Sequence, residues 1–105
     1  MKAIANVHGN WTKDGYEFLS LGKEIKHFDE SEAYETDEAR LFKLGTKYTI
    51  LSATGCSCWD GDWEGWTDLT KPELYKIAKS WANPNSYDHA EKNLGAWIIE
   101  NKSEL

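Results

Sequence analysis

Residues 55–66 read GCSCWDGDWEGW and bring together two cysteines, three tryptophans, three acids and three glycines. Metal binding is the first chemistry such a stretch suggests. A structural zinc site needs four N or S ligands, usually C-x(2–4)-C pairs matched by a second pair or by two close histidines. Cys56 and Cys58 are instead spaced C-x-C, and His8, His27 and His89 are scattered along the chain. Asp60, Asp62 and Glu64 fall at the first, third and fifth positions of a calcium loop, with Gly65 at the sixth and Asp68 at the ninth. The twelfth position, where a bidentate Glu belongs, is Lys71, and its cation opposes the ion. The expectation is therefore a chain with no bound cofactor. Zinc at Cys56 and Cys58 and calcium at Asp60, Asp62 and Glu64 stay open as alternatives.

Catalytic chemistry is thin. A nucleophilic cysteine needs a nearby base or helix N-terminus to lower its pKa, whereas the acids around Cys56 and Cys58 act to raise it. The chain contains no G-x-S-x-G, glycine-rich phosphate loop or H-E-x-x-H. Carboxylate pairs are too common in an acidic chain to single one out as a hydrolytic dyad. No enzyme is expected.

Two features suit recognition better. Six tryptophans are many for 105 residues, and while Trp81 and Trp97 fall on helix faces, Trp11, Trp59, Trp63 and Trp66 lie on or near turns. The plainer reading buries most of these as anchors of a small sheet. The functional one exposes Trp59 or Trp63 as an interface anchor, flanked by Asp60, Asp62 and Glu64 to steer a basic partner. The second feature is Asp29 to Glu38, with six acids, Asp29, Glu30, Glu32, Glu35, Asp37 and Glu38, and no base. Such a run is ordinarily a solvated face. Functionally, it imitates the phosphates of nucleic acid and can occupy a Lys and Arg groove built for them.

These residues must be held by a single domain, because 105 residues support one core. Asp14-Gly15 predicts a hairpin near residues 10–21, and Gly22-Lys23 a second turn before "EIKHF". Thr36, with Asp37 and Glu38 in the following turn, predicts a short middle helix ended by Gly45, with Leu41, Phe42 and Leu44 as its buried side. "TKYTILSATG" is the clearest strand and "DWEGWTDL" its partner, so the motif 55–66 connects two strands. Thr70-Lys71-Pro72-Glu73 matches a capping box, and Leu74, Ile77, Ala78 and Trp81 recur on one face of a helix from about Lys71 to Ala82. Asn83-Pro84-Asn85 stops it. A last helix, starting at Asn85 or Ser86, is expected to bury Tyr87, Ala90, Leu94, Trp97 and Ile98. The fold class is α+β: an antiparallel sheet of four to five short strands, one short middle helix and two C-terminal helices.

The formal charge of −6 and pI near 5.0 argue against direct binding to nucleic acid, as does the single arginine, Arg40. No apolar run suits a cleaved leader or a membrane span, which leads to the expectation of a cytoplasmic protein.

The strand running into "SATGCSCW" and on through "WEGW" resembles small proteins encoded by bacteriophages and prophages. Size, acidity and Lys/Asn-rich make-up are similar to phage-encoded inhibitors of host defence, anti-CRISPR proteins among them. That resemblance implies a non-enzymatic inhibitor acting in the bacterial cytoplasm. Its partner would be a host protein with a basic nucleic-acid-binding surface, such as a Cas effector. Two alternatives stand beside it: a sponge that stacks a signalling nucleotide between Trp59, Trp63 and Trp66, and a weak metal-binding module.

Overall fold

A computed structural model of the chain describes the backbone of residues 2–8, 10–12, 15–17, 21–56 and 62–105, and the side chains of residues 21–55 and 63–105. In chain order the elements are β1 (Lys2–His8), β2 (Asn10–Thr12), β3 (Gly15–Glu17), β4 (Lys23–Asp29), β5 (Glu35–Leu44), β6 (Lys47–Cys56), β7 (Asp62–Leu69), α1 (Lys71–Trp81) and α2 (His89–Glu100). A 3-10 turn follows at Lys102–Glu104. The fold is α+β, with antiparallel strands first and the two long helices last, as the order of turn and periodicity signals predicts.

Strands β7, β6, β5 and β4 lie side by side, each antiparallel to the next, and the backbone of β1 runs along the far edge of β7. No turn or periodicity signal in the sequence marks β1. β2 and β3 pair with each other, Trp11 opposite Tyr16 and Thr12 opposite Gly15. Gly15 is thus a strand residue rather than a central turn residue, and residues 13 and 14 lie outside those described. β6 is buried on both sides. Tyr48 and Ile50 join Ala39, Leu41 and Leu69 beneath Leu74 and Ala78 of α1 and Ala90, Leu94 and Ile98 of α2. Leu51 and Ala53 join Phe42 and Trp63 in a second cluster on the opposite face. Apolar residues of β6 thus serve both faces, and its dense β-branched and aromatic residues account for the strength of its signal.

The expected middle helix is absent: Thr36 to Leu44 belong to β5, which pairs residue by residue with β6 from Glu35↔Cys56 to Leu44↔Lys47. Leu41 and Phe42 are both buried, but on opposite faces of the sheet, and Leu44 is 62% exposed. Gly45 does take the left-handed conformation, with φ 63°. It turns a hairpin rather than ending a helix: the two-residue loop Gly45-Thr46 has positive φ at its first position alone, the pattern of a type II′ turn.

The capping box at α1 is present, with Thr70 N–H donating to Glu73 Oε1 (2.9 Å) and Glu73 N–H to Thr70 Oγ1 (3.4 Å). Helix α2 starts at His89, later than expected, which leaves Tyr87 outside the helical spacing and 93% exposed. Gly95 is required where α2 meets α1, since a Cβ there would stand 2.5 Å from the Ala78 carbonyl oxygen. α1 covers β6 and β7, and α2 covers β4 and β5.

Candidate functional site

The acidic run builds the hairpin that joins β4 to β5. Asp29 pairs with Glu38, Glu30 N–H donates to the Asp37 carbonyl (2.8 Å), and Glu32 and Glu35 exchange backbone hydrogen bonds (2.9 and 3.1 Å). Ala33 and Tyr34 form the tip, where Tyr34 is 77% exposed. Asp29, Glu30, Glu32 and Glu35 are exposed, whereas Asp37 and Glu38 are half-buried.

Half-burial goes with internal work. Asp37 reaches from β5 to the start of α2, where Oδ2 accepts from His89 N–H (3.1 Å) and Oδ1 from Ala90 N–H (3.3 Å). It satisfies amides that the first turn of a helix leaves orphaned, while Asp88, at the N-cap position itself, makes no side-chain cap bond. Glu38 Oε1 lies 2.8 Å from His27 Nε2 and 3.6 Å from Arg40 Nη2. Glu30 accepts from Asn93 Nδ2 (3.1 Å). Burial works against the Asp29 carboxylate, but hydrogen bonds from Ser31 and the charges of His27 and Arg40 outweigh it and hold its pKa below the ordinary value. Glu32 and Glu35 have no side-chain partner among the described residues.

Antiparallel pairing sets further acids at the same end of the sheet. β6 ends opposite Glu35, β7 begins beside that end, and the Asp37 bonds fix the start of α2 there. Glu91 of α2 accepts from Ser52 Oγ (2.8 Å). Its burial, followed by the nearby charges of Asp88, Asp37 and Glu64, pushes its carboxyl above the ordinary value despite that bond. The sequence pattern missed Glu91, because its crowding arises only when β5, β7 and α2 converge.

The sheet face opposite the helices carries a cross-strand network in which Arg40 donates to Glu24 and stands 5.4 Å over the Trp63 ring. Ligand atoms of His27, Asp29 and Glu38 lie within 4.8 Å of one another, the one grouping among the described residues able to hold a metal ion. Sequence spacing gives no hint of it, since it depends on the β4–β5 register. The His27–Glu38 contact already occupies two of its donors, and Arg40 places a positive charge beside them.

Of the tryptophan-loop residues, Trp59 and Asp60 lie outside the described residues, as does Cys58. Asp62 and Cys56 are described in backbone only, opposite His8 and Glu35 respectively. Glu64 is exposed. Trp63 is fully buried in the second apolar cluster, as the plainer reading of the tryptophans has it, and is not the exposed interface anchor of the functional one. Trp66 packs on the helix side of the same strand, so Trp63 and Trp66 cannot sandwich one ring between them.

No family model, curated protein or solved structure matches this chain. Among the described residues, no helix is long and apolar enough to cross a membrane.

Proposed function

We propose that the protein is a non-enzymatic inhibitor whose acidic end docks on a basic nucleic-acid-binding surface of a host protein, for example a Cas effector in the bacterial cytoplasm. One observation carries this reading: Asp29, Glu30, Glu32 and Glu35 stand exposed on one hairpin at the sheet end that also holds Glu64, Asp88 and Glu91. The four acids fall within one short hairpin and form a single anionic patch. Occupying a Lys and Arg groove requires anionic charge rather than base identity, because phosphate contacts position a ligand without reading its sequence.

Glu32, Glu35 and Glu64 are exposed and have no side-chain partner among the described residues. The triple change Glu32→Lys, Glu35→Lys and Glu64→Lys therefore tests the surface while sparing Asp37 and Glu38. In affinity capture from a bacterial lysate, the native protein should retain a nucleic-acid-binding protein that added oligonucleotide displaces. The triple variant should bind it at least about tenfold more weakly, since several exposed pairs of a few tenths to 1 kcal/mol turn repulsive. Equal retention by both proteins would rule out the acidic end as the docking surface.

A further inference from the structure

One flank of α1 stands off β7 and leaves a groove between them. Trp66 from the strand and Ile77 and Trp81 from the helix line a groove of about 370 Å³, with Glu73, Lys76 and Ser80 at its rim. That volume is at the lower end of small-molecule sites, which are mostly apolar with a few polar groups that fix orientation. Two indoles and an isoleucine favour a flat apolar body, because rings stack or meet edge to face on aromatic walls.

The polar rim narrows the choice. Glu73 is turned to the helix start, where Oε1 accepts from Thr70 N–H and Oγ1 (2.9 and 3.0 Å). Lys76 and Ser80 are exposed, sit one turn apart on α1 and have no side-chain partner among the described residues. Among the described residues, the rim thus offers one uncommitted ammonium and one hydroxyl. We infer that the groove binds a planar aromatic small molecule bearing one anionic group, the ring between Trp66 and Trp81 and the anion at Lys76. This site does not depend on the acidic end and would stand if that reading fell.

Titration of the ¹⁵N-labelled protein with 2-naphthoate, 2-naphthyl phosphate and neutral 2-naphthalenemethanol tests the inference. Trp66→Phe and Trp81→Phe identify the two indole N–H resonances to follow. Both anions should shift these two resonances saturably, and a preference between them tells carboxylate from phosphate recognition. The neutral compound should bind about fivefold more weakly, the most that one solvent-facing ion pair supplies. Lys76→Gln, at an exposed position, should leave the rest of the spectrum in place and bring the anions down to the neutral level. Absence of saturable shifts, equal binding of the neutral compound, or undiminished anion binding by Lys76→Gln would each overturn it.

Discussion

Asp37 accepts from the first two amides of α2, whereas Asp88 at the N-cap position makes no such bond. Removing a side-chain cap costs about 1–2 kcal/mol. Asp37→Ala should therefore destabilise the protein by that amount in urea denaturation, and Asp88→Ala by less than about 0.5 kcal/mol, as for a surface change away from any cap. A reversed order would assign the cap to the wrong acid. Glu91 gives a pH-dependent counterpart. Its folded-state pKa is raised, so between the ordinary glutamate value and the raised one the native state holds more proton than the unfolded chain. Its contribution to stability is present below that window and lost as pH rises through the folded value. Glu91→Gln removes the charge and can keep the Ser52 contact. It should raise the thermal midpoint at pH 7, with the advantage gone below about pH 4, where the glutamate is protonated in both states. A variant equally or less stable at pH 7 would show that Glu91 is not crowded.

The close approach of α1 and α2 rests on Gly95. Alanine there gains about 1 kcal/mol of helix propensity, but its Cβ would meet the backbone of α1. Overpacking of this kind costs about 1–3 kcal/mol. Gly95→Ala should therefore be net destabilising in denaturant melts, and a stabilised variant would mean that the helices stand further apart. Such contacts divide what the sequence discloses from what it hides. Strand β6 and the α1 capping box are legible because their signals are local: a density of β-branched and aromatic residues and a Thr-to-Glu spacing. Thr36 to Gly45 is misleading because Thr36, Asp37 and Glu38 have the chemistry of a helix start, and Leu41 and Phe42 are both apolar. Asp37 does sit at a helix N-terminus, but that of α2, 52 residues further along. Leu41 and Phe42 are buried on opposite faces because β5 has a core on each side, and that hides the period of two. The candidate site divides the same way. The acidity of Asp29 to Glu38 is plain in the sequence, but its convergence with Glu64, Asp88 and Glu91 depends on long-range pairing. Trp63 needed the strand register to be placed inside the sheet.

At the scale of the molecule, the chain carries a net charge of −6, and Glu32, Glu35, Glu64, Asp88 and Glu91 gather where the β4–β5 hairpin, the start of β7 and the start of α2 meet. Internal bonds hold Asp37 and Glu38 in the scaffold and leave Glu32, Glu35 and Glu64 facing outward. An acidic end of this kind speeds encounter with a basic groove and makes affinity fall as salt screens it. The most direct measurement takes the captured partner, bound to a labelled oligonucleotide, and titrates it with this protein over a range of ionic strengths. Docking through the acidic end should displace the oligonucleotide completely, at a concentration that rises steeply with salt. A ternary complex in which protein and oligonucleotide are bound together, or an affinity unchanged by salt, would contradict it.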